Sequence, residues 1–322
     1  MEKIKLGIVG FGFMGHCDAD MMGTFDDSEI QLVAVADTNP DQLKDAPEGV
    51  ETYNSIEEML EKADINTVMV STPNPSHPEM VKKAAAAKKN VICEKPAAMS
   101  VELFDEMVAA CKENGVLFTV HQQRRWDKDY RIMKEVYNKE MVGDMYIIKS
   151  QLYGFNGNMH DWHVYPEMGG GMLYDWGVHL IDQMLDLIPG KITQISADMK
   201  CAVNKSVDDY FRILLYFDNG LAAEIELGTF LLKKLPRWYV AGDTGTLVVE
   251  NIKADEGAIY RAKEFREALP KTVKNIDAGP TRTFSVKAED VVSTEPLPEI
   301  HRKHNDWNDF FRNIVGVING TE

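Results

Sequence analysis

A chain of 322 residues is long for one hydrophobic core and suits two domains of ordinary size. With 44% hydrophobic and 27% charged residues it has a globular composition, and no stretch approaches the roughly 18 uncharged apolar residues of a membrane span. The net charge of -16 is shared by both halves, with 12 basic against 21 acidic residues up to Arg125 and 23 against 30 beyond it. That balance excludes a basic footprint for nucleic acid or an anionic membrane surface.

Met1-Glu2-Lys3-Ile4 runs straight into a strand pattern with no secretory signal, so the expected address is cytoplasmic. The scattered cysteines Cys17, Cys93, Cys111 and Cys201 show no paired spacing and are expected as reduced thiols. Ile4 to Val9 reads as a buried strand that ends in Gly10-Phe11-Gly12-Phe13-Met14-Gly15. Alone, that G-x-G-x-x-G is a weak signal. Here helix-compatible residues follow, and a second apolar strand, Ile30 to Ala36, closes a βαβ unit at Asp37, 22 residues after Gly15. Glycines allow a tight turn and a close approach of helix N-terminal amides to a pyrophosphate. Asp37 stands where a carboxylate can accept from both hydroxyls of an adenosine ribose, and its charge favours NAD over NADP. The plainer alternative is a turn that binds nothing, with Asp37 as a helix N-cap.

The βα alternation continues. Ile65 to Val70 is a strand, Ser71-Thr72-Pro73-Asn74-Pro75 a breaker-rich loop and Ser76 to Ala87 a helix. Asn90 to Cys93 is the next strand, and it leads into Glu94-Lys95-Pro96. Loops at the carboxyl ends of parallel strands line the crevice of an open α/β sheet, which makes Thr72, Asn74, His77 and Lys95 crevice candidates. On its own, His77 reads as an exposed residue at a helix N-terminus and Lys95 as a solvated loop lysine. Val101 to Asn114 is expected as a helix ending before Gly115, and Val116 to Val120 as the last strand of a nucleotide domain, delivering His121 to Trp126 to the crevice edge.

Beyond a helical stretch from Lys128 to Lys139 the pattern changes. Strands are expected at Asp144 to Ser150, Ile192 to Ala197, Asp209 to Phe217, Leu221 to Leu227, Trp238 to Ala241 and Thr246 to Glu250, with Asn219-Gly220 as a tight hairpin turn. Hairpins without intervening helices indicate an antiparallel or mixed sheet, hence a second domain of α+β class. Tyr216, Phe230 and Leu232 are expected to face outward. Lys263 to Lys274 reads as a surface excursion, His301 to His304 as solvated charge, and Asn305 to Ile318 as a helix with Trp307, Phe310, Phe311, Ile314 and Val317 on one stripe.

Between these strands lies Gly169-Gly170-Gly171-Met172-Leu173-Tyr174-Asp175-Trp176-Gly177-Val178-His179. On a helix Asp175 and His179 share a face one turn apart, as two metal ligands, as an acid/base couple, or as an N-cap followed by a core histidine. With His160 and His163 they could make a four-ligand zinc site. No HExxH or cysteine pattern supports that, and no metal is expected.

The glycine motif, Ser71-Thr72-Pro73-Asn74 with His77, Glu94-Lys95-Pro96, and Gly169-Gly170-Gly171-x-x-x-Asp175-x-Gly177-x-His179 together resemble the glucose-fructose oxidoreductase, inositol dehydrogenase and rhizopine catabolism (Gfo/Idh/MocA) superfamily. The motifs occur in the family's order over most of the chain. The resemblance implies a Rossmann domain with a doubly wound parallel sheet over residues 1-125, then an α+β domain with a large, mostly antiparallel open sheet over residues 126-322 for substrate binding and oligomerisation. It implies Lys95, Asp175 and His179 as the catalytic constellation, with a cis Lys95-Pro96 peptide. Gly10, Phe11, Gly12, Phe13, Met14, Gly15 and Asp37 are expected to hold NAD, together with Ser71, Thr72, Asn74, His77, Glu94, Lys95 and Gln123. Lys95, Arg125, Trp162, His163, Asp175 and His179 are expected to meet the substrate, although a basic interdomain turn explains Gln123 and Arg125 equally well.

The implied activity is hydride transfer between NAD and a secondary alcohol of a sugar, cyclitol or related polyol. Asp175 would orient His179 or hold a neighbouring hydroxyl. Related chains use transient oxidation to cleave glycosidic bonds or serve as non-catalytic sensors. A homodimer or homotetramer formed through the open sheet is the expected assembly.

Overall fold

The computed structural model describes residues 3-26, 28-157, 159-263, 291-300 and 306-321. Its first sheet is wholly parallel, in the order β3-β2-β1-β4-β5-β6. These strands are β1 (Ile4–Val9), β2 (Ile30–Ala36), β3 (Glu51–Tyr53), β4 (Thr67–Val70), β5 (Asn90–Cys93) and β6 (Phe118–Val120). Between them run α1 (Phe13–Met22), α2 (Ile56–Lys62), α3 (His77–Ala86) and α4 (Val101–Asn114). Strand order reverses between β1 and β4, so the loops after these two strands part and open the crevice in which doubly wound sheets bind ligands. Residue chemistry sets the helix ends. Ser55 and Ser100 cap α2 and α4 by accepting from Glu58 N and Leu103 N, and Gly115 ends α4 at φ +68°. By contrast, α1 starts on Gly12 with no side-chain cap, leaving its first N–H groups for another acceptor.

The second sheet has eight strands in the order β14-β13-β12-β11-β7-β10-β9-β8. They are β7 (Met145–Tyr153), β8 (Ile192–Lys200), β9 (Tyr210–Phe217), β10 (Ala222–Gly228), β11 (Trp238–Gly242), β12 (Gly245–Val249), β13 (Gly257–Ala262) and β14 (Val292–Pro296). Every pairing is antiparallel except β7 with β10. Register assigns the faces. Leu215, Ala223, Ile148, Val240, Leu247 and Ile259 pair in a row and are all buried under α5 (Lys128–Asn138) and α6 (Val178–Leu187). The neighbouring row, with Leu214, Glu224, Lys149 and Tyr239, faces away, and Glu224 there bridges Arg212 and Lys149 at 2.5 and 3.0 Å.

The Asn219-Gly220 hairpin joins β9 and β10 as expected, with Gly220 at φ +90°. Strands β3, β13 and β14 were not anticipated, and their short or polar sequences explain why. Phe230 and Leu232 are exposed as expected, but they lie past the end of β10 and not on the sheet; the outer face carries Tyr239 and Tyr260. The last helix, α7 (Asp306–Ile318), packs Phe310, Phe311, Ile314 and Val315 into the core of the first sheet beside Ile4, Leu6 and Phe25. Val317, placed on that stripe from the sequence, is exposed, and Val315 takes its position in the core. Most of Lys263 to Lys274, and all of His301 to His304, lie outside the described residues.

Candidate active site

The glycine loop has three glycines with three different reasons. Gly10 (φ +87°) lies so close to the loop after β4 that a Cβ would sit 2.5 Å from Thr72 N, and on Gly15 a Cβ would meet Gly10 O at 2.3 Å. Only Gly12 faces open space, at the uncapped head of α1, so a Cβ there would project where an anion would approach the helix N-terminus. Asp37 closes this end of the crevice. Its Oδ2 accepts Phe11 N and its Oδ1 accepts Asn39 N, both at 2.7 Å, which fixes the carboxylate beside the loop. Uncapped amides, an open glycine and a fixed carboxylate suit a dinucleotide.

At the other end, the loop after β5 brings Lys95 and a cis Lys95-Pro96 peptide. Lys95 Nζ donates to Asp175 Oδ1 at 2.6 Å and to Asp175 O at 3.1 Å, across 80 residues of sequence. Each side chain is only 14% exposed, so water screens the pair weakly. Asp175 Oδ2 also lies 3.5 Å from His163 Nε2, and the His163 ring stacks on Trp162 at 3.9 Å. Burial alone would raise the Asp175 carboxyl; His163 and Lys95 outweigh it and hold the group well below the usual carboxylate range. The same contact pushes the His163 imidazole up.

His179 is buried at the start of α6, immediately after a π-helical turn, Leu173–Gly177, that carries Asp175. Its Nδ1 meets Gln122 Oε1 at 2.8 Å. Burial, then the charges of Lys95 and Arg124, hold this imidazole well below its ordinary value, so it is neutral at neutral pH. Arg124 is itself fixed over the Trp176 ring at 4.1 Å. The widened turn separates the roles of Asp175 and His179. Asp175 is engaged by Lys95 and His163, and Gln122, not Asp175, orients His179.

His77 and Arg125 depart from the expectation. His77 is buried, not exposed; its ring bridges Thr72 O at 2.7 Å and Pro96 O at 3.0 Å, tying two crevice loops together. Arg125 is occupied on α6 by Asp182 at 2.6 Å and Asp186 at 3.2 Å, which leaves its guanidinium little to offer a substrate. Asn74 donates to Met168 O at 2.9 Å and so joins the crevice to the rim loop. The three glycines before Asp175 approach the chain itself: a Cβ would strike Met99 Sδ at Gly169, His163 O at Gly170 and Asp208 Oδ1 at Gly171. His160 is exposed and paired with Asp161, apart from Asp175. Among the described residues, the one trio of ligand-type side chains with atoms within 4.8 Å is Asp18, Glu94 and His121. There Glu94 and His121 already share a hydrogen bond of 2.5 Å, closer than the roughly 3 Å between two ligands on one zinc. Glu94 and Gln123 are buried, and the Ser71 hydroxyl faces Asp18 Oδ2 at 3.4 Å. Gln122 was missed; the only available signal was a polar amide directly after a crevice strand.

Two family models match this chain: an oxidoreductase family with an NAD-binding Rossmann fold over residues 4-122, and the GFO/IDH/MocA C-terminal domain over residues 130-248. An uncharacterised oxidoreductase of Schizosaccharomyces pombe is 33% identical over 169 residues, 51% of this chain, which spans about half (46%) of that protein's length. The scyllo-inositol 2-dehydrogenase (NADP(+)) IolW of Bacillus subtilis is 27% identical over 82% of this chain and 74% of its own. A solved NAD-binding protein from Listeria innocua superposes with a TM-score of 0.85 at 34% identity, covering all of this chain and 88% of that one. The chain therefore belongs to the Gfo/Idh/MocA oxidoreductase family.

Proposed function

We propose that the protein is an NAD-dependent dehydrogenase of a secondary alcohol on a sugar, cyclitol or related polyol. The observation that carries this reading is a partly buried ammonium, Lys95, held on Asp175 in the same crevice as a neutral imidazole, His179. Alcohol oxidation needs an acceptor for the hydroxyl proton and a cation for the developing alkoxide. His179 supplies the first: with Nδ1–H donating to Gln122, its Nε2 is the accepting nitrogen. Lys95 supplies the second, and Asp175 keeps its ammonium in place. Trp162 and His163 form the rim against which the polyol rests. The nicotinamide, when bound, accepts the hydride.

Asp37 supports NAD over NADP, because its fixed carboxylate would repel a 2′-phosphate and Thr38-Asn39 supplies no arginine. The outer face of the eight-stranded sheet, with Tyr216, Tyr239 and Tyr260 around the Arg212-Glu224-Lys149 ladder, is the surface we assign to a second copy. A panel of cyclitols and aldoses followed at the NADH absorbance tests the activity. Oxidation of at least one member is expected, with turnover lowered about 10²-fold or more by Lys95→Ala or His179→Ala while NADH still binds. Near-normal turnover in both variants would overturn the assignment, and sugar release without net NADH would mark the glycosidase alternative.

A further inference from the structure

Beneath Lys95 lie three ionisable side chains that the proposed reaction does not use. Asp18 on α1, Glu94 after β5 and His121 after β6 are all buried, with atoms within 4.8 Å of one another. Glu94 spends one oxygen on His121 Nδ1 at 2.5 Å and the other on Lys95 N at 3.1 Å. Phe310 and Phe311 of α7 cover the His121 ring, with centroids 4.6 and 5.3 Å away. Asp18 is far less well served. Its Oδ2 faces the Ser71 hydroxyl at 3.4 Å, and its Oδ1 has no hydrogen-bond partner among the described residues.

The charges around Asp18 do not balance. One imidazolium cannot neutralise two carboxylates, and this one is taken by Glu94. The Lys95 ammonium is held by Asp175. Around Asp18 stand Cys17 and Asp20 on its own helix, Ser71 just after β4, Glu94 and Lys95 just after β5, and His121 just after β6, with His77 beyond Glu94. None of these is a cation without a closer partner. An ionised Asp18 would thus be a buried charge lacking a counter-ion, a state that proteins avoid by keeping the proton.

We propose that Asp18 works as a neutral carboxylic acid, and that the glycine loop takes up the dinucleotide's pyrophosphate only while Asp18 holds its proton. The inference rests on the reading of that loop as a dinucleotide site. Asp18 follows Gly15 by three residues on α1, so its ionisation would set a negative charge in a dry interior close behind the helix end that receives the anion. Burial, with help from Glu94 and against His121, raises the group to about 8. Below that value the acid is already neutral and affinity is flat; above it, binding has to take up a proton, and affinity falls by up to about tenfold per pH unit.

The test is the dissociation constant of NADH, and of ADP-ribose as an unreactive probe, from pH 6.5 to 9.5, for the wild type and for Asp18→Asn, which keeps the shape of the neutral acid. The wild type should bind at least about tenfold more weakly at pH 9.5 than at pH 7, and the variant should be flat across the range. Calorimetry at pH 8.5 in buffers of different ionisation heat should show net proton uptake by the wild type, a readout that stands even if Asp18→Asn does not fold. Zero proton uptake, parallel pH curves for the two proteins, or stoichiometric divalent metal that depends on Asp18 would overturn the proposal. Wild type that binds neither probe at pH 7 would overturn the dinucleotide reading, and this inference with it.

Discussion

Gln122 Oε1 lies 2.8 Å from His179 Nδ1, so an amide from the first sheet fixes the tautomer of an imidazole on a helix of the second. If this contact sets the accepting nitrogen, Gln122→Leu should lower turnover by about tenfold or more while leaving NADH affinity unchanged. Gln122→Glu should also raise the acid limb of the pH profile, because a carboxylate favours imidazolium. An unmoved limb in Gln122→Glu would show that the amide plays no part in holding the base.

The suppressed basicity of His179 has a direct kinetic consequence. A histidine held below its ordinary value of about 6.5 stays neutral as pH falls, so the acid limb of kcat/KM should lie well below that ordinary value. For stability, the unfolded chain binds this proton before the folded one does, and His179 therefore costs the fold stability as pH drops below about 6.5. Chemical unfolding at pH 7 and pH 5, compared between wild type and His179→Gln, should show a smaller acid loss in the variant.

The glycines of the first turn should separate folding from binding. Gly15→Ala puts a Cβ 2.3 Å from a backbone oxygen and should cost about 2-4 kcal/mol or abolish expression. Gly12→Ala meets no protein atom, so its melting temperature should match the wild type while NADH affinity falls by about tenfold. Equal affinity in Gly12→Ala would remove the anion from the head of α1.

Loss of Asp37 should be read out as selectivity. Removing a charged hydrogen-bond acceptor is worth about 1.5-3 kcal/mol, so Asp37→Ala should weaken NADH about tenfold or more and narrow its margin over NADPH. Tighter binding of NADPH than NADH by the wild type would reverse the NAD assignment.

Anchoring of α6 also yields a stability prediction. Arg237 is buried, ion-paired to Asp129 at 2.9 Å, and donates to Gln183 Oε1 at 2.7 Å, one turn beyond His179. Asp129→Ala strands that guanidinium and should cost about 3-5 kcal/mol, measured by denaturant unfolding.

By itself, the sequence determined the elements whose chemistry is local. The glycine loop, Asp37, the Ser100 and Gly115 ends of α4 and the Asn219-Gly220 turn follow from backbone sterics and short-range hydrogen bonds. So did the first sheet apart from its short edge strand β3, because its apolar runs leave few other arrangements. Beyond the constellation of Lys95, Asp175 and His179 that the family resemblance implied, the tertiary structure decided partnerships across long separations. Lys95 meets Asp175 over 80 residues and His179 meets Gln122 over 57; neither separation has a period that a sequence displays. Helical spacing placed Asp175 and His179 on one face, yet a π-helical turn and two competing partners assigned them different work. The fates of Arg125, His77 and Asp18 were likewise hidden, because burial and the nearest counter-charge decide what an ionisable side chain does, and both are properties of the folded interior.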